Sequence, residues 1–197
     1  MQMKDKFGIK LGMWLFLYTE IMLFGALFLL YAAYYKKYTA NFAESAQELN
    51  LVFGTVNTVI LITSSFTVAA SITAIHNKAR KLAIALLATS STLGIIFLIN
   101  KYFEWSHKIH AGIYLNSDIL TNGPFGSNIF FSLYYLITGL HGLHVFIGIM
   151  LLIVCGIMVA QKRIVPGNYV FLENVGLYWH LVDLIWIFVF PLFYLVI

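Results

Sequence analysis

Charge is scarce in this chain. Twelve basic and eight acidic residues make up 10% of 197, against about 25% in a typical soluble domain. With 61% hydrophobic residues, a chain this short cannot hide its apolar surface in a water-facing core. That excludes a soluble enzyme or binding module and leaves an integral membrane protein. Cysteine is nearly absent too. The lone Cys155 rules out an internal disulfide and, inside an apolar run, reads as a small buried hydrophobe. There is no phosphate-cradling glycine loop, nucleophile elbow or CxxC pair, and no linker, repeat or low-complexity tract. A cleavable signal peptide is not expected. The first apolar stretch is too long for one, contains Glu20 and has no small-residue cleavage site behind it.

Long apolar runs are what the chain has. A span needs ~20 apolar residues, and five stretches qualify, at about 12–35, 52–75, 82–103, 129–160 and 171–195. The expected fold is all-α: one polytopic bundle over residues 1–197. Basic residues set its orientation. Lys4, Lys6, Lys10, Lys78, Arg80, Lys81, Lys162 and Arg163 fall at one end; Lys36, Lys37, Lys101 and Lys108 fall at the other. The positive-inside rule then puts the N-terminus in the cytoplasm and the C-terminus in the periplasm. Segments 36–51 and 104–128 read as loops on the outer side, too short for a folded catalytic domain. Small residues mark helix packing faces: Thr63, Thr67 and Ser71 in the second span, Ala85 and Thr89 in the third, Gly139 and Gly142 in the fourth.

Chemistry concentrates where lipid should be. Glu20 lies ~14 Å into its span, near the middle of a ~30 Å core. An ionised carboxylate there costs about 3 kcal/mol, so it is either protonated or partnered. His141 and His144, in Thr138-Gly-Leu-His141-Gly-Leu-His144-Val145, share a helix face. So do His180 and Asp183, in Tyr178-Trp-His180-Leu-Val-Asp183-Leu-Ile-Trp186. The turn after Ala160 makes these helices antiparallel neighbours. The cluster reads first as buried histidines satisfied by Asp183, backbone or hydroxyls, with His180–Asp183 as the expected charge-assisted pair. A metal centre built on His141, His144 and His180 is a second reading, and a transporter coupled through Glu20 and Asp183 a third. Glu104 closes the third span, within i, i+3 reach of Lys101. Glu173 opens the fifth, where an acid complements a helix N-terminus. Both read as boundary residues.

These segments, in this order, resemble subunit III of the haem–copper respiratory oxidases in its five-span bacterial form. Leu11–Phe24 with Glu20 resembles the family's first core helix and its buried glutamate. Asn57–Ser65 resembles the next helix, and Phe103-Glu104-Trp105 the acidic end of the third. The His141/His144 and His180–Trp186 motifs are very similar to the last two helices and are the most specific. The larger members have seven spans, and the two N-terminal ones have no counterpart here.

The resemblance implies a non-catalytic subunit of a proton-translocating terminal oxidase, with no catalytic residue, metal or cofactor of its own. Haem and copper would reside in subunits I and II. Subunit I would be the main contact, and phospholipid would be held in a V-shaped cleft between the family's first two spans and the rest. Proton uptake and stability of the partner would be supported. Glu20 would match the carboxylate facing subunit I. His141, His144, His180 and Asp183 would tie the bundle together, with Asn57, Glu104 and Trp186 as further structural, lipid or subunit contacts. Expected partners are subunits I and II, membrane lipids and a respiratory supercomplex, with no nucleic acid. The expected location is a bacterial cytoplasmic membrane. Cytochrome c is the expected electron donor. A quinol oxidase and the accessory subunit of a nitric oxide reductase share the same motifs.

Overall fold

A computed structural model describes residues 2–115 and 117–195, with side chains from residue 7 onward; the basic groups of Lys4 and Lys6 lie outside the described residues. The order is α1 (Gln2–Lys37), α2 (Thr39–Gln47), α3 (Leu51–His76), α4 (Arg80–His110), α5 (Asp118–Asn122), α6 (Phe125–Ala160) and α7 (Val170–Tyr194). Phe7–Lys37, α3, α4, α6 and α7 are long and apolar enough to cross a membrane. The protein is an all-α, multi-pass membrane protein.

Helices α3, α4, α6 and α7 close a four-helix ring: α3 packs on α4, α4 on α6, α6 on α7 and α7 back on α3. Helix α1 stands outside it. Among the described residues it touches α6, α7 and the short α2 but neither α3 nor α4. Its buried residues Leu17, Phe24 and Tyr31 recur every seven positions, which makes one narrow seam along the helix. The Tyr31 hydroxyl donates to the Leu192 carbonyl, one of the α7 end groups that have no partner within their own helix.

Turns and caps explain where the helices stop. Asn50 opens α3 by accepting from the amides of Val52 (3.0 Å) and Phe53 (3.4 Å), as an N-cap side chain does. Helices α3, α4 and α6 all end in the same turn. After α6, Arg163 N–H reaches the Met158 carbonyl at 2.9 Å and Lys162 N–H the Val159 carbonyl at 3.1 Å, a Schellman motif. That motif needs a left-handed residue. Gly112 supplies it after α4 at φ 79°, but Lys78 (60°) and Lys162 (61°) supply it after α3 and α6. Arg80, the first residue of α4, donates from Nε to the Val159 carbonyl at 2.8 Å and from Nη2 to the Ala160 carbonyl. It thereby caps the end of α6.

Several boundaries differ from the sequence reading, and α1 begins at Gln2 rather than near residue 12. The third span does not stop near residue 103: α4 runs to His110. Lys101, Glu104 and Lys108 are all buried there. Charge usually signals a return to water, but here Lys101 and Glu104 are satisfied inside the bundle. The segment 36–51 is also more ordered than a loop. It holds α2, whose Phe42 and Ala46 pack into the core.

Candidate functional site

Four polar sites lie within the apolar bundle. The first joins α1 to α6. Glu20 and His144 meet at 2.9 Å, Oε2 to Nε2, with side chains 13% and 12% exposed. The other imidazole nitrogen, Nδ1, stands 2.7 Å from the Leu140 carbonyl. A carbonyl can only accept, so Nδ1 carries a hydrogen. The Nε2···Oε2 contact is then a hydrogen bond through one proton, carried by the imidazole or by the carboxyl. That resolves the cost of a carboxylate at mid-bilayer depth. The Tyr178 hydroxyl donates to the His144 carbonyl at 3.1 Å. A groove of about 480 Å³ leads to the pair, walled by Met13, Phe16, Asn174 and Tyr178. Lys10 and Glu173 form an ion pair at 3.0 Å near its mouth, so Glu173 has a specific partner on α1 as well as its place at a helix start.

The second site joins α4, α6 and α7. Lys101 Nζ lies 3.0 Å from Glu104 Oε2 and 3.0 Å from each of the Tyr134 and Tyr194 hydroxyl oxygens. Both hydroxyls donate to Glu104 Oε1, at 2.8 and 2.5 Å. Every charge here is paired and hydrogen-bonded, the condition under which buried ions are tolerated. The i, i+3 pairing of Lys101 with Glu104 follows the sequence reading. The two tyrosines do not: they are 60 residues apart and no local pattern links them. The available signal was register, since Tyr134, Thr138 and His141 fall on one buried face of α6.

The third site is the seam of α3 with α4 and α7. Asn100 Nδ2 donates to Asn57 Oδ1 at 3.0 Å. Thr67 and Ser90 hydroxyls meet at 2.7 Å. Trp179 Nε1 donates to Ser64 Oγ at 3.1 Å, and Trp186 Nε1 to Thr58 Oγ1 at 3.0 Å. Small hydroxyl residues thus link helices where water supplies no driving force. Thr63 is different: it is exposed and bonds its own helix at the Val59 carbonyl, 2.7 Å away.

His180 and Asp183 correct an expectation. No direct ion pair joins them among the described residues. His180 Nδ1 is taken by Ser65 Oγ at 2.6 Å, across the helix interface. Asp183 lies near the same serine, and its Oδ1 has no hydrogen-bond partner among the described residues. A hydroxyl on α3 lies between two groups that i, i+3 spacing alone would have joined.

His141 is the fourth site. It is fully buried and neither ring nitrogen has a hydrogen-bond partner among the described residues. Its ring stacks on Trp186 with centroids 5.2 Å apart and meets the edge of Phe97 at 5.7 Å. Lys101 Nζ stands 5.4 Å from the Trp186 ring centroid, a cation–π distance. His141, His144 and His180 therefore take separate surroundings. Among the described residues no three His, Cys, Asp or Glu side chains gather as a metal site would require.

Fold and contacts together define a class: a multi-pass helical membrane protein whose ionisable groups are largely closed on one another. The family model described as cytochrome c oxidase subunit III matches residues 2–196, and the chain belongs to that family. A probable quinol oxidase subunit 3 of Staphylococcus saprophyticus is 33% identical over 189 residues, covering 95% of this chain and 88% of that protein. Cytochrome c oxidase subunit 3 of Synechocystis is 34% identical, covering 93% of this chain and 74% of that one. The same subunit of Thermostichus vulcanus is 33% identical, covering 94% and 86%. The chain is thus similar to third subunits of oxidases, and membership implies a complex with other oxidase subunits.

Proposed function

We propose that this chain is the non-catalytic third subunit of a proton-translocating haem–copper terminal oxidase in a bacterial cytoplasmic membrane. It packs on subunit I, with subunit II in the same complex, retains phospholipid, and supports proton uptake and durability of the catalytic subunit. Haem and copper belong to those partners, and this chain contributes no ligand to them. The basic end of the bundle faces the cytoplasm.

The match along nearly the whole chain carries this reading. The geometry supports it. The Glu20–His144 pair holds one proton near the middle of the membrane, beside a groove that approaches it from the end of α1 that carries Lys10. A pair of that kind stores and orients a proton without making or breaking other bonds. Much of α1 remains exposed, with Trp14, Leu15, Tyr18 and Met22 uncovered; in this reading lipid and a neighbouring subunit cover it. Cytochrome c is the proposed electron donor. The quinol reading has its own support in the name of the Staphylococcus relative.

The test is isolation of the tagged chain from native membranes, with identification of its companions and a haem spectrum. Subunits I and II and haem should accompany it. A lone chain that holds iron or copper in fixed ratio and consumes oxygen unaided would overturn the proposal. Glu20→Gln should leave assembly intact and weaken sustained turnover or proton uptake. Wild-type behaviour in both assays would remove Glu20 from the functional residues.

A further inference from the structure

Lys108 is the buried cation that the four polar sites leave out. It is 5% exposed, and no carboxylate forms an ion pair with it among the described residues. Its Nζ donates to the Glu48 carbonyl at 2.6 Å, which caps α2, and lies 5.8 Å from the Phe131 ring centroid. An ammonium has three donors, so two remain. Glu104, one turn earlier, is already engaged by Lys101, Tyr134 and Tyr194. A buried charge left in this state is costly unless an anion reaches it.

Space for one is present. Lys108 lines a cavity of about 830 Å³ between the start of α3 and the end of α4. That lies within the ~300–1,000 Å³ common for ligand sites. Asn50 and Ser106 add polar atoms to its wall, and Glu48 adds an exposed carboxylate that attracts Lys108 from beyond ion-pair distance and forms no ion pair among the described residues. Phe53 and Phe103 form an apolar flank, and both are exposed on the outside of the α3–α4 pair. The cavity thus offers a buried positive group, an exposed negative group and an aromatic edge, in one place at the end of the membrane-spanning bundle. A simple anion would satisfy the lysine but would meet Glu48 as a like charge. A zwitterion satisfies both.

We propose that this cavity binds one phospholipid with a phosphoethanolamine headgroup. Its phosphate sits against Lys108, its ammonium reaches the Glu48 carboxylate, and its acyl chains run out over Phe53 and Phe103. The site lies on the α3–α4 side, away from the groove at Glu20, and it gives a specific address to the lipid-retaining role proposed above, on which it rests.

The experiment uses whatever complex the tagged chain isolates with, so loss of companions and loss of lipid preference are separate results. The complex is equilibrated with equal amounts of phosphatidylethanolamine and phosphatidylglycerol, and retained lipid is counted by native mass spectrometry. Wild type should favour phosphatidylethanolamine by about tenfold, the equivalent of one charge-assisted contact. Glu48→Gln, at an exposed position, should keep a lipid but lose the preference. Lys108→Met should lose the lipid. Because Lys108 also caps α2, Lys108→Arg serves as the folded control and should retain it. Equal retention of the two lipids by wild type, an unchanged preference in Glu48→Gln, or retention of added inorganic phosphate without phospholipid would each overturn the proposal.

Discussion

Glu20 and His144, 124 residues apart in sequence, lie on different helices and share one hydrogen-bonded proton. The Leu140 carbonyl holds the far side of the imidazole. The two residues should therefore respond unequally to mutation. Glu20→Gln supplies an amide N–H to Nε2 and keeps the contact, at a cost of about 1 kcal/mol or less. His144→Ala strands the carboxyl among apolar side chains and should cost about 1–3 kcal/mol. Thermal unfolding of the purified complex measures both, and equal losses would contradict the shared-proton arrangement.

Trp179 makes a second prediction. Its indole lies where side chains at Gly94 and Gly148 would go: an added Cβ would come within 2.8 Å of it at the first and 2.7 Å at the second. Alanine at either position should destabilise by about 1–3 kcal/mol through overpacking. Gly156 is the control, because a Cβ there meets nothing within 4 Å. Gly156→Ala should be neutral or gain up to about 1 kcal/mol. Denaturation in graded detergent mixtures would rank the three, and a Gly148→Ala variant as stable as Gly156→Ala would refute the packing argument.

The Lys101–Glu104 site should show strong coupling. Glu104→Ala leaves a buried ammonium with only hydroxyl partners and should cost about 3–5 kcal/mol. Joint replacement, Lys101→Met with Glu104→Ala, removes both charges and should recover part of that loss. A double-mutant cycle on unfolding free energy gives the coupling directly. Additive losses would show that the two charges do not depend on each other.

Lys162 holds a left-handed backbone at φ 61°, which costs a residue with a Cβ roughly 1–2 kcal/mol. Lys162→Gly should therefore raise stability by up to about 1 kcal/mol, and Lys162→Val should lower it. A melting temperature that falls in Lys162→Gly would mean that the lysine side chain contributes more than the turn geometry takes away.

Hydropathy made the five spans legible, because in lipid a long apolar run has few alternatives to a helix. It misjudged the end of α4, where Lys101 and Glu104 offset their cost through each other and through contacts from other helices rather than through water, and where Lys108 is buried as well. Glu20's need for a partner was readable from depth alone. That the partner is His144 was not, since it depends on α1 docking against α6. The other polar sites show the same division. Lys101 with Glu104 could be read from spacing on one helix. His180 with Asp183 could not, because Ser65 approaches from α3. Tyr134 and Tyr194 carry no local mark of their role. Periodicity reports which face of a helix is buried, while the identity of the neighbour is a property of the assembled ring.

The isolated position of α1 has a consequence for biogenesis. The ribosome delivers Glu20 to the membrane first, and His144 follows only 124 residues later, a delay of about 6–25 s at common elongation rates. During that interval the acid must stay protonated, remain at the translocon, or be shielded by an insertion factor. Docking of the first helix then has to wait until the last two have arrived.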